Sequence, residues 1–183
     1  MNTPERTLKY PVTLRVLHWL MVALIIAMIA IGYYMTGLDR EDPLRGQLFG
    51  LHFSLGVTLF ALAVIRLLVR LASPTPALPA ALGGWELTLA KISHPLMYVL
   101  MLAIPVFGYI VVSTVSSRDG IEIFGLFSLP KLIGENRTLH EIAEVLHVWS
   151  AWLLAGVIVL HIAGALKHRF MDRPEADVLA RMT

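Results

Sequence analysis

The residues of this chain with the clearest chemical potential are its seven histidines, most of which lie inside long apolar stretches. His147 and His161 stand 14 positions apart. At about 100° per residue this spacing falls about 40° short of four helical turns, so both rings share one helix face, roughly 21 Å apart along its axis. Burying a polar group inside a bilayer costs free energy, so such a group usually has a bonding partner or a functional role. One imidazole at each of two depths predicts the ligation of two stacked haems.

Each of these two rings needs an opposite ligand, and two other histidines lie at matching depths. His18 begins the first apolar stretch on the side of His161, and His52 begins the second on the side of His147. Two imidazoles fill both axial positions of a haem iron, which suits electron transfer. The predicted pairs are therefore His18 with His161 and His52 with His147. Zinc is an alternative metal, although its ligands would have to converge on a single depth.

The other three histidines leave alternatives open. His140 lies seven positions before His147 on the same helix face and competes with it for the outer haem, although its charged neighbours indicate a wet interface. His94 and His168 lie at the inner ends of the third and fourth stretches. Because imidazole changes its charge near pH 7, they are candidates to bind a quinone carbonyl or carry its protons. They are equally well explained as interfacial side chains without a functional role.

The elements that position these residues follow from composition. Hydrophobic residues make up 57% of the 183 and charged residues 15%, against about 25% charged in soluble domains. Four apolar stretches, at about 16–38, 46–67, 90–115 and 142–167, are long enough to cross about 30 Å of hydrocarbon. Backbone groups in lipid must be satisfied internally, so these spans are predicted helices. We expect an all-α integral membrane four-helix bundle, a single domain over residues 1–183.

The absence of cysteine and the small net charge exclude several classes of function. The absence of cysteine excludes disulfides, iron–sulfur clusters and covalently attached c-type haem. A net charge of +2 is too small to indicate nucleic acid. Ten of the fifteen Lys and Arg lie at the two chain ends and in the second connection. The positive-inside rule then predicts an inner-membrane protein with both termini in the cytoplasm.

Basic residues near the predicted membrane surfaces are candidates for binding anions. On the inner face, Arg66 and Arg70 could pair with haem propionates. On the outer face, the long third connection carries Arg118, Lys131 and Arg137, which form either a positive surface or a plain solvated loop. The apolar residues of the same connection are expected to lie on the membrane surface.

Several short motifs occur in an order that resembles the bacterial di-haem cytochrome b561 family. They are R-x-x-H-W from Arg15, H-x-x-x-G from His52, V-I-R-L-L-V-R from Val64 with P-T-P from Pro74, H-P-L-M-Y from His94, and I-P-V-F-G from Ile104. The resemblance implies a four-helix inner-membrane cytochrome with two b haems on the pairs given above. His140 is an addition to the family pattern.

The resemblance also implies two alternative activities. One branch of the family takes electrons from superoxide and passes them to ubiquinone. Related cytochromes are membrane subunits of dehydrogenases or hydrogenases. For the first activity, Arg118, Lys131 and Arg137 would attract superoxide to the outer haem, and His94 or His168 would supply protons to the quinone. The second activity predicts a large partner dehydrogenase, and a third hypothesis is a membrane protein without haem.

Overall fold

Four long helices dominate the computed structural model, which describes residues 9–74, 76–79, 81–115 and 120–183. They are α1 (Val12–Gly37), α2 (Pro43–Ala72), α3 (Gly84–Val115) and α4 (Arg137–Phe170). All four are long and apolar enough to cross a membrane. The predicted all-α membrane bundle is confirmed, and most helix ends extend several residues beyond the predicted spans.

Polar caps fix where two of the helices begin. The Asp42 carboxylate accepts a hydrogen bond from the Leu44 N–H at 2.8 Å, with Pro43 at the first helical position of α2. The Asn136 side-chain oxygen accepts from the Leu139 N–H at 2.9 Å at the start of α4. Such caps satisfy N–H groups that have no partner within the helix. Because successive spanning helices alternate in direction, α2 and α4 begin at the same end of the bundle, which we call the outer end.

The core lies midway between the two ends. Helix α3 packs most extensively on α4, and α1 on α2. The buried core residues are Met21, Ile25, Leu59, Ala63, Leu100, Met101 and Leu154. Many large apolar side chains on all four helices are exposed instead. In a bilayer these side chains contact lipid, so the apolar exterior is the expected surface of a membrane bundle.

A β-hairpin follows α3 at the outer end. Strands β1 (Gly120–Ile123) and β2 (Phe127–Pro130) pair antiparallel, and the turn places Phe124 and Gly125 at φ values of 51° and 69°, which is typical of tight hairpin turns. Ile123 is only 2% exposed, and the Phe124 N–H donates to Ser54 Oγ at 3.1 Å. Part of the third connection thus packs on α2, whereas the sequence predicted apolar residues on the membrane surface.

The segment after α4 folds back under the opposite, inner end. It contains two short 3₁₀ turns, Pro174–Ala176 and Leu179–Arg181. Trp19 Nε1 donates to the Met182 carbonyl at 2.9 Å, and the Tyr10 N–H donates to the Arg181 carbonyl at 3.0 Å. The Arg181 guanidinium donates to the Ala77 carbonyl at 2.5 Å. We call residues 173–183 the closing segment, since it ties α1 to the α2–α3 connection.

Candidate haem-binding site: two histidine pairs

At the outer end, α2 and α4 bring two histidines together. The ring centres of His52 and His147 lie 6.1 Å apart. His147 Nδ1 lies 2.9 Å from the Ile104 carbonyl. A carbonyl only accepts hydrogen bonds, so Nδ1 carries the proton and Nε2 keeps the lone pair that binds a metal. His52 Nδ1 is buried and has no hydrogen-bond partner among the described residues.

Two glycines make room for the outer rings. A Cβ at Gly108 would lie 3.1 Å from His147 Cε1, and a Cβ at Gly32 would lie 3.1 Å from His52 Cε1. Both distances are shorter than ordinary van der Waals contact. The sequence analysis missed these two residues as parts of the site. The available signal was a glycine inside an apolar helix, which usually has a packing reason.

At the inner end, α1 and α4 bring together the second pair, with a third ring beside it. The ring centres of His18 and His161 lie 6.4 Å apart, and that of His94 lies 5.2 Å from that of His161. His94 Nδ1 donates to the Ala90 carbonyl at 2.8 Å. Arg66 Nη1 lies 3.0 Å from His18 Nδ1.

The spacing within both pairs fits ligation of one metal ion between two rings. Two imidazoles bound to opposite sides of a metal through bonds of about 2 Å have ring centres about 6 Å apart. The observed 6.1 and 6.4 Å agree with this value. Neutral imidazoles on opposite sides are the donor set that a haem iron takes in electron-transfer proteins. The residues present therefore fit two haem groups, one at each end of the bundle.

His140 occupies a different position from the outer pair. Its Nδ1 lies 3.2 Å from the Val111 carbonyl and 3.4 Å from Thr114 Oγ1, and its Nε2 lies 3.8 Å from the Glu144 carboxylate. The structure thus brings His147, and not His140, beside His52.

His168 belongs to a cluster of charged groups at the inner end. Its Nδ1 lies 2.6 Å from the Asp172 carboxylate, and Lys167 Nζ lies 2.6 Å from Glu86 and 2.9 Å from Asp172. Glu86, His168 and Asp172 are spaced closely enough to ligate a metal ion, but the Lys167 ammonium already pairs with both carboxylates. Hydrogen bonds from Lys167 and then from His168 hold the pKa of Asp172 below its usual range.

The predicted anion-binding residues have varied surroundings. Arg70 lies over the Tyr10 ring at 5.7 Å, near the inner end. Lys131 is half-buried directly after β2. Arg137 is 91% exposed and pairs with Glu141 at 2.9 Å, which partly neutralises its charge. Arg118 lies outside the described residues.

A bundle of four membrane-spanning helices that holds facing histidines at two depths defines a class of protein, the membrane cytochromes. The comparison with known families agrees. The model of the family described as prokaryotic cytochrome b561 matches residues 9–183. The chain therefore belongs to the prokaryotic cytochrome b561 family, whose members bind haem b and transfer electrons in membranes.

Three curated relatives match most of this chain. It is 34% identical to cytochrome b561 homolog 2 of Escherichia coli (strain K12), over 99% of this chain and 93% of the relative. It is 28% identical to the probable superoxide oxidase CybB of Yersinia pestis, over 85% of each. It is 23% identical to cytochrome b561 homolog 1 of the same E. coli strain, over 91% of this chain and 92% of the relative.

Proposed function

We propose that this protein binds two haem b groups and carries electrons from superoxide at the outer end to ubiquinone at the inner end. The spacing of about 6 Å within both histidine pairs is the main support. The similarity to a probable superoxide oxidase supports the choice of electron donor. We place the protein in the bacterial inner membrane with both termini in the cytoplasm, on the basis of the Lys and Arg distribution.

The four histidines would hold the two groups, with His52 and His147 at the outer end and His18 and His161 at the inner end. Haem b bound there supplies two one-electron centres. Arg66 and Arg70 are the candidates to pair with propionates. Each superoxide ion that loses one electron becomes O₂. Two superoxide ions and two protons are therefore consumed for each ubiquinone reduced to ubiquinol.

The remaining roles belong to residues near the two membrane surfaces. Lys131, Arg137 and Arg118 would raise the local concentration of superoxide by attracting its negative charge. His94 and His168 would bind the quinone or deliver its protons. The contact of His168 Nδ1 with the Asp172 carboxylate at 2.6 Å orients the ring at the inner end, which supports this choice.

An alternative function is that of an electron-transfer subunit for a partner dehydrogenase or hydrogenase. The observation in its favour is the exposed apolar surface near the outer end, where Leu126 is 80% and Leu132 is 78% exposed. Exposed apolar residues of this kind are typical of interaction surfaces.

A superoxide pulse distinguishes the two functions. The purified protein is mixed with superoxide in a stopped-flow spectrometer, with superoxide dismutase as the control. We expect the b-type spectrum to be reduced within milliseconds, the dismutase to abolish the reduction, and ubiquinone to reverse it. An oxidised b-type spectrum that superoxide leaves unchanged would favour the partner dehydrogenase, and a colourless protein would exclude both functions.

Loss of single ligands tests the site itself. His52→Ala or His147→Ala removes one of the two residues that would hold the outer haem, so each variant is expected to retain one haem per chain and to lose the spectrum of the outer centre. His140→Ala is the matched control and should retain both haems. The pyridine haemochrome assay measures the number per chain. Two haems in both outer-pair variants would show that the ligand assignment is wrong.

A further inference from the structure

Arg66 is a cation within a membrane-spanning helix, and its hydrogen-bond partners among the described residues are neutral. Its Nη1–H donates to His18 Nδ1 and its Nε–H donates to the Tyr98 hydroxyl, both at 3.0 Å. Over the part of the chain that the structure describes, no carboxylate forms an ion pair with it. Charges inside a bilayer are costly unless they are paired. Arg66 is therefore positioned to take an anion from outside the described chain.

Arg66 also determines where the proton on His18 lies. A guanidinium group has N–H donors and no acceptor. His18 Nδ1 must accept its hydrogen bond, so the single proton of the neutral ring lies on Nε2. A ring in this tautomer cannot offer Nε2 to iron. His147 is the opposite case, because its Nδ1 donates to the Ile104 carbonyl and leaves Nε2 free.

We propose that Arg66 makes loading of the inner pair depend on a metalloporphyrin that brings its own free carboxylate. The Arg66 guanidinium then leaves His18 Nδ1 and pairs with this carboxylate. The ring proton then moves from Nε2 to Nδ1, and Nε2 becomes available to iron. The outer pair has no such requirement, because a backbone carbonyl already fixes the binding tautomer of His147. The inference rests on the proposed haem function and adds to it a residue that selects the ligand of one centre.

The test supplies two forms of haem to cells that cannot make their own. The full chain is produced with haem b or with its dimethyl ester, in which both carboxylates are blocked, and the haem per purified chain is measured. Wild-type protein is expected to hold two haems with haem b and one with the diester. Uptake of the diester at the inner pair is expected to be about tenfold lower than uptake of haem b. This factor corresponds to the free energy of about one charge-assisted hydrogen bond.

Three variants assign the effect to Arg66. In Arg66→Gln the amide oxygen can accept from His18 Nδ1, so two haems are expected with either form. Arg45→Gln, on the same helix, should keep the wild-type pattern. His161→Ala should still bind one diester per chain at the outer pair, since this substitution disrupts only the inner pair.

Several results would overturn the inference. In the experiment with the diester, they are two or no molecules bound per wild-type chain, one molecule bound per Arg66→Gln chain, or none bound per His161→Ala chain. If Arg66→Gln does not fold, the comparison of haem b with its diester in the wild-type protein decides alone. Fewer than two haems with haem b would instead overturn the proposed two-haem function, so the two failures are distinct.

Discussion

Gly108 controls how closely the ring of His147 approaches the backbone of α3. An alanine Cβ would lie 3.1 Å from Cε1 and 3.2 Å from Nδ1 of this ring. The ring would have to move, and its hydrogen bond to the Ile104 carbonyl at 2.9 Å would lengthen. That hydrogen bond fixes the tautomer and the orientation of a metal-binding imidazole. Gly108 is thus a positioning residue for His147 in the proposed outer centre.

We predict that Gly108→Ala weakens haem binding at the outer pair and leaves the inner pair unchanged. Overpacking of this kind costs about 1–3 kcal/mol, so the thermal midpoint and the outer-centre spectrum should both shift. Gly156→Ala is the control, since nothing lies within 4 Å of its added Cβ. Equal behaviour of the two variants in optical and EPR spectra would contradict the role of Gly108.

For single residues, the sequence predicts which histidines face each other but not which groups form hydrogen bonds with their rings. Helical periodicity places His147 and His161 on one face, and helix order supplies their opposite rings. The partner of His147 Nδ1 depends on how closely α3 and α4 pack, and a single sequence does not contain that distance. The same limit applies to Arg66, which was predicted to pair with a propionate but whose contact with His18 appears only in the structure.

Among the smaller elements, the closing segment is held by a carboxylate with a shifted pKa. Burial raises the pKa of Asp177, but hydrogen bonds from the Ala180 N–H and the Arg169 guanidinium outweigh it, so the pKa lies below its usual range. A group with a depressed folded pKa stabilises the fold above its unfolded value of about 3.9. That contribution is lost as pH falls through the lower, folded value.

We predict that the closing segment loosens only in acid. The hydrogen-exchange protection factors of residues 178–183 should stay constant from pH 8 to about pH 5 and fall below about pH 4. Asp177→Asn should lower them already at neutral pH and remove the acid step, while Asp39→Asn, outside the closing segment, should behave as the wild type. A wild-type acid step that persists in Asp177→Asn would assign it to another carboxylate.

The elements differ in how well they can be predicted from sequence. The four helices follow from uninterrupted apolar stretches, which are a strong signal in a membrane protein. The hairpin has strands of only four residues, and such short runs carry little periodicity. The closing segment is polar and short, and its contacts with Trp19 and Tyr10 lie more than 160 positions away. Local sequence patterns therefore carried no information about where it folds.

For the whole molecule, an even number of spans places the beginning of α1 and the end of α4 on the same side of the membrane. The absence of cysteine makes any introduced cysteine unique. We predict that a membrane-impermeant maleimide labels Ser128→Cys, in the hairpin, from the periplasmic side. Met171→Cys, at the end of α4, should react only in inverted vesicles. The reverse pattern would show that the orientation inferred from Lys and Arg is wrong.

The contact between Trp19 and Met182 determines the order in which parts of the protein can assemble during synthesis. These residues are 163 positions apart, so the first helix enters the membrane long before its partner in the closing segment is translated. The outer pair needs the chain only as far as His147, and the inner pair needs it as far as His161. During synthesis the inner end therefore stays uncovered until the closing segment has left the ribosome.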